Sequence, residues 1–158
     1  MRRLALCALL AFCVIAIAAA AAAQTRKAGL WEATTTITFE EPAGAAGSPH
    51  TTMVCVAQEH LDKYGAIMPQ SAGCQFVNVA KKPNGVTADM VCKGRMEGKG
   101  ALEATWTDGE HTTTKVHFTG TMPVGIDIRP VVWTSNSSYV FKASDCGPLK
   151  PIDPMEPH

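Results

Sequence analysis

The chain has 158 residues, 14 basic and 14 acidic side chains, six cysteines and a hydrophobic share of 46%, about one domain's worth of sequence. Residues 1–23 hold 21 of those hydrophobic letters together with Arg2 and Arg3, so the remainder is about 39% hydrophobic with 12 basic residues against 14 acidic. That balance excludes a basic nucleic-acid footprint, a strongly acidic tail and a second large domain, and past the leader no apolar run is long enough to span a membrane.

The first predicted element is a cleaved secretory signal over residues 1–23. Met1-Arg2-Arg3 is its basic start, Leu4 to Ala18 its apolar run, and Ala19 to Ala23 its small-residue exit. Neither Cys7 nor Cys13 has the neighbours that lipid attachment needs. Export of an unfolded chain means that the later cysteines meet an oxidant outside the cytoplasm, periplasmic or secreted.

A single domain is predicted over 24–147. Trp31, Ala33, Thr35, Ile37 and Phe39 alternate with Glu32, Thr34, Thr36 and Thr38, a strand with one apolar and one hydroxyl face. A Gly/Pro-rich turn leads to a second strand, His50 to Val56. Gln58 to Met68 carries Leu61, Tyr64 and Met68 at helical spacing, and Pro69 is its predicted stop. From Cys74 to Cys92 two alternating runs flank Pro83-Asn84-Gly85, which reads as a hairpin. Gly98 to Trp106 and Thr112 to Met122 form a second hairpin around Thr107-Asp108-Gly109, and Asn136 to Phe141 is the last strand. Residues 148–158 contain four prolines and are expected to be a disordered tail. The predicted fold class is α+β, mainly antiparallel β: a curved sheet of six or seven strands with one short helix over about 58–68 and two disulfides.

Cys55, Cys74, Cys92 and Cys146 are an even set with gaps too wide for a zinc site or a redox Cys-x-x-Cys. The hairpin favours Cys74–Cys92. A loop over residues 81–85 puts these cysteines directly opposite, whereas a three-residue loop makes them diagonal neighbours. Cys55–Cys146 then follows by elimination. The rival pairing is Cys55–Cys74 with Cys92–Cys146.

Candidate chemistry is sparse. His111 and His117 share one strand with even spacing, but two ligands are too few for a catalytic zinc, so no metal site and no cofactor is predicted. Met53, Met68, Met90, Met96 and Met122 are not clustered in sequence and read as core filling, not as a copper site. No nucleophile elbow, phosphate loop or dinucleotide fingerprint is present. Asp108-Gly-Glu110-His111 reads as a solvated turn. No catalytic residue is expected; the inward aromatics Trp31, Trp106 and Phe118 either fill the core under the helix or line a cleft for an apolar ligand, and in the second case they are the candidate binding surface.

Gly29-Leu30-Trp31-Glu32, Cys55-Val56 before a short helix, Cys74, Cys92, Phe118-Thr119-Gly120-Thr121 and Asp145-Cys146-Gly147 occur in the order that marks a known family. The chain resembles the exported bacterial domain-of-unknown-function family 3617 over roughly Arg26 to Gly147. Ala143-Ser144 stands where that family has Leu-Gly, and the proline tail is additional. The resemblance implies an exported domain with no established activity and assigns no catalytic residue.

The expected function is a non-enzymatic envelope protein that binds a partner protein or a small apolar ligand. The alternatives are a metal-handling or hydrolytic protein using His111 and His117, and a purely structural accessory of the envelope.

Overall fold

Period-two alternation of apolar and polar residues builds strands with one buried and one wet face, and seven of them form a single antiparallel sheet. A computed structural model describes residues 26–43, 47–69 and 72–152. The predicted signal segment and the last six residues lie outside that set. The strands are β1 Gly29–Glu41, β2 His50–Val56, β3 Cys74–Lys82, β4 Gly85–Cys92, β5 Glu97–Trp106, β6 His111–Val124 and β7 Asp127–Ala143, with helix α1 Gln58–Tyr64 between β2 and β3. Their order across the sheet is β2-β1-β7-β6-β5-β4-β3. Strands β2 and β3 follow one another in the chain yet occupy opposite edges, so the segment between them crosses the apolar face.

That segment departs from the sequence expectation. The helix ends at Tyr64, four residues before Met68, because Gly65 takes a left-handed conformation (φ 78°) and its N–H donates to the Leu61 carbonyl at 2.7 Å. Only glycine adopts that geometry cheaply. Met68, whose spacing from Leu61 and Tyr64 prolonged the predicted helix, instead lies fully buried with Ala66 and Ile67 along a non-helical crossing. The Met68 N–H donates to Nε2 of buried His60 at 3.1 Å, which ties the crossing back to the helix.

Strand β7 also differs from expectation. It starts at Asp127, not at Asn136, and pairs with β6 as a long hairpin. Pro130 and the serine-rich stretch hid it in the sequence. The proline is tolerated because β1 pairs with β7 only as far as Val132, which leaves Pro130 where β7 has β6 on one side and no strand on the other. The hairpin projects beyond its neighbours, and Ile126 and Ile128 at its tip are exposed.

The face away from the helix is a hydroxyl surface. The register aligns Thr51, Thr34, Ser138, Thr113 and Thr105 in one row across five strands. Their hydroxyls meet at 3.0 Å for Thr34–Thr51 and 2.9 Å for Thr105–Thr113. The opposite face carries the core. Trp31, Ala33, Val56, Leu61, Ile67 and Tyr139 pack together at one end. Phe76, Met90, Leu102, Trp106 and Phe118 anchor the larger cluster, which Tyr64, Ala66 and Met68 cover.

Both disulfides pair as the hairpin argument favoured, Cys74–Cys92 and Cys55–Cys146. The register that brings Cys74 opposite Cys92 arises in two steps. Lys82 pairs with Gly85 around a two-residue Pro83-Asn84 loop, which by itself would leave the cysteines one residue out of step. A bulge between Val77 and Ala80, with Asn78 at φ 53°, takes up the extra residue. The Lys93 N–H donates to the Gly73 carbonyl at 2.8 Å, so the adjacent cysteine pair falls at a non-hydrogen-bonded position, where side chains approach most closely.

The Cys55–Cys146 link also orders the start of the tail. Residues 148–152 had been expected to be disordered; instead Pro151 bridges Cys55 in parallel and the Ile152 N–H donates to the Cys55 carbonyl at 2.9 Å. Part of the exposed edge of β2 is thereby paired. The remainder of the expected tail, residues 153–158, lies outside the described residues.

Loop-closure entropy ranks the two bridges. Cys55–Cys146 closes a separation of 91 residues and Cys74–Cys92 one of 18, corresponding to about 4.5 and about 3 kcal/mol. Urea unfolding of the two double alanine variants should therefore find Cys55→Ala/Cys146→Ala the less stable, by roughly 1 kcal/mol or more, since it also frees the tail from β2.

Candidate functional site

On β1 the odd-numbered residues and on β7 the odd-numbered residues face the helix side, and the register sets Ala33 opposite Tyr139, Thr35 opposite Ser137 and Ile37 opposite Ser135. From β4 and β6 the same face receives Met90, Val116 and Met122. Met68 and Pro69 of the crossing segment pass over it. Between these surfaces lies a cavity of about 490 Å³ that also takes in Phe76 of β3 and Val54 of β2. Residues from both edge strands line this one space, so the sheet is curled around it.

Its walls are chemically divided. Phe76, Met90, Met96, Val116, Met122 and Val131 make one side entirely apolar. Adjacent strands β1 and β7 supply hydroxyls on the other: Thr35, Ser135, Ser137 and Tyr139. Thr35 and Ser137 share a hydrogen bond of 2.8 Å. Tyr139 is bonded to Thr114 and Ser137, and burial pushes its phenol above the ordinary value, outweighing those two bonds. Among the described residues, no Asp, Glu, Lys, Arg or His lines the space. The volume is in the usual range for a small-molecule site.

Trp133 forms part of the wall and stacks on Phe118, with ring centroids 5.3 Å apart and planes inclined by 22°. Phe118 in turn lies along the cross-strand pair Gly98–Gly120. A Cβ on Gly120 would stand 2.7 Å from Phe118 Cζ and 2.2 Å from the Glu97 carbonyl oxygen. The bare backbone of Phe118-Thr119-Gly120 is thus the bed for a ring that backs the tryptophan in the wall.

The three aromatics chosen from sequence do not form this surface. Trp31 is completely buried in the smaller cluster, its indole N–H donating to the Lys27 carbonyl at 3.0 Å. Trp106 is buried beneath the Arg26 guanidinium, 3.5 Å from its ring centre. Phe118 has no exposed surface. Inward-pointing aromatics in a curled sheet fill the core first, and the space remains where smaller side chains face one another on β1 and β7. Trp133, Ser135, Ser137 and Tyr139 are the residues that sequence reasoning missed. Their signal was the alternation from Val131 to Tyr139, masked by Pro130 and by serines that read as turn chemistry.

Of the five methionines expected to fill core, Met68, Met90, Met96 and Met122 line this space, but Met53 is exposed on edge strand β2. His111 and His117 lie on the outer face of β6 as their spacing implied, but six residues apart along an extended strand is about 20 Å, so they share no ligand. His111 Nδ1 lies 2.9 Å from Asp108 Oδ2, and His117 Nδ1 lies 3.1 Å from Thr134 Oγ1. Among the described residues no group of three His, Cys, Asp or Glu side chains is placed to hold a metal. Asp108 accepts the backbone N–H groups of Glu110 and His111 at 2.7 Å, bonds that hold its carboxyl below the usual carboxylate range and fasten the β5–β6 turn.

Residues 26–146 match the DUF3617 family, described as a protein of unknown function, and the chain belongs to that family. No curated protein and no solved structure matches it.

Tyr139 generates a pH signature. Its folded-state pKa is raised above 10.0, so its contribution to stability is complete below about pH 10 and is lost as pH climbs toward the folded value, because the unfolded chain ionises first. Denaturant titrations across that range should lose stability more steeply for the parent protein than for Tyr139→Phe.

Proposed function

We propose that this chain is an exported, non-catalytic binding protein that holds a small apolar ligand in the space enclosed by its curled sheet. The observation that carries this reading is the cavity of about 490 Å³ with uncharged and largely apolar walls. An empty apolar space forfeits dispersion contacts and destabilises a fold in proportion to its size, whereas a ligand that fills it recovers that loss. Four methionines in the wall suit such a role, since their unbranched side chains adapt to a guest's shape.

The compartment follows from the covalent frame. Two disulfides are consistent with an oxidising, extracytoplasmic environment, and the leader read from the sequence supports the periplasm. The metal or hydrolytic alternative loses its footing with the separation of His111 from His117. A purely structural accessory would have no need of an accessible cavity.

The test uses N-phenyl-1-naphthylamine, an uncharged apolar fluorophore, titrated into the disulfide-bonded protein without its leader. Saturable one-to-one uptake with blue-shifted emission is expected. Ser135→Phe, which places a ring in the space from a half-buried position, should weaken that uptake by about tenfold or more, equivalent to ~1.4 kcal/mol, while the thermal midpoint stays within a few degrees. Uptake that never saturates, or that ignores the phenylalanine, would overturn the reading.

A further inference from the structure

Building on the proposed cavity function, we infer that the ligand is an uncharged amphipath: an apolar body carrying one neutral hydrogen-bonding group, of the kind found in a fatty alcohol, a neutral ester or an amide. The hydroxyl wall of the cavity receives that group.

Three observations carry this. The first is the segregation of the lining, with hydroxyls supplied by the adjacent strands β2, β1 and β7 (Thr52, Thr35, Ser135, Ser137 and Tyr139) and an apolar side formed by Phe76, Met90, Met96, Val116 and Met122. A ligand that was hydrocarbon throughout would use only half of such a site. The second is the state of Ser135. It is half-buried, it points into the cavity beside Trp133, and it has no hydrogen-bond partner among the described residues. Water satisfies it while the cavity is open. A guest that displaced the water without replacing its hydrogen bond would leave a buried hydroxyl unpaired, which costs more than a formed bond gains. The guest must therefore bring its own donor or acceptor.

The third observation is the absence, among the described residues, of any charged side chain from the lining. Thr52 lies at the exposed rim, whereas two of the hydroxyls, those of Ser137 and Tyr139, sit buried on the inner wall. A carboxylate or ammonium carried to them would lose its hydration with no counter-charge to meet, a heavy desolvation penalty. Serine and tyrosine hydroxyls can donate to a neutral oxygen or accept from a neutral N–H or O–H. The polar end of the ligand therefore points inward to β1 and β7, and its hydrocarbon lies against the methionines.

A set of probes with a common ten-carbon chain separates this inference from the reading beneath it. 1-Decanol, decanoate and decylammonium are titrated at pH 7.5 below their aggregation limits, each by displacement of N-phenyl-1-naphthylamine. 1-Decanol is expected to bind at least tenfold more tightly than either ion. Ser135→Ala should weaken 1-decanol three- to tenfold, as loss of one buried hydrogen bond requires, each displacement being corrected for the variant's own directly titrated affinity for the fluorophore. If decanoate or decylammonium competes as well as 1-decanol, or if Ser135→Ala leaves 1-decanol unaffected while the fluorophore still binds, the assignment of ligand class is wrong and the cavity function stands. If neither the fluorophore nor any of the three probes binds, the cavity function itself is wrong.

Discussion

One connection constrains the whole molecule. Val56 ends the strand at one edge of the sheet and Cys74 begins the strand at the other, so 17 intervening residues must cross the apolar face. A flat seven-stranded sheet would be nearly 30 Å wide from first to last strand at ~4.8 Å per strand, and a crossing that spends seven residues in a helix fits best when the sheet curls beneath it. Gly65 turns the chain out of the helix, and His60 accepts from Met68 to hold the crossing down. The buried Ala66, Ile67 and Met68 then seal both core clusters. Curl, cover and cavity have this one origin.

The cavity persists because of which residues the register brings together. Strands β1 and β7, the first and last described strands, are neighbours second and third from one edge of the sheet, and on their inner faces small side chains oppose one another. Ala33, Thr35, Ser135 and Ser137 cannot fill what Trp31 and Phe118 fill elsewhere. The large aromatics are spent on either side of this gap, Trp31 beneath the helix and Trp106 beneath Arg26. The outer face of the sheet carries threonines whose hydroxyls bond to one another between β1 and β2 and between β5 and β6, so the sheet stays wet on one side as its alternation requires.

The motifs that mark the family have structural explanations. In Gly29-Leu30-Trp31-Glu32, Trp31 anchors the smaller core cluster and Glu32 meets Lys142 of β7 at 2.9 Å. Phe118-Thr119-Gly120 is a ring and the bare backbone on which it lies. In Asp145-Cys146-Gly147 the aspartate accepts the Gly147 N–H at 2.9 Å beside the disulfide that ties the last strand to β2. These residues specify how the sheet is built and closed. None of these motif residues supplies the hydroxyl wall of the cavity.

Strand alternation, the 74–92 hairpin with its Cys74–Cys92 pair and the helix after Cys55 were determined by local sequence, because each depends on spacing within one or two neighbouring elements, whereas Cys55–Cys146, 91 residues apart, followed only by elimination. The limits of the helix, the start of β7 and the placing of the tail were not, since Gly65, Pro130 and Pro151 take their meaning from what lies beside them: a carbonyl one turn back, a missing neighbour strand, an unpaired edge. The cavity belongs wholly to the tertiary structure. It comes from pairing residues about a hundred positions apart, such as Thr35 with Ser137, and no periodicity within a single strand encodes which small side chains will face each other once the first and last strands meet.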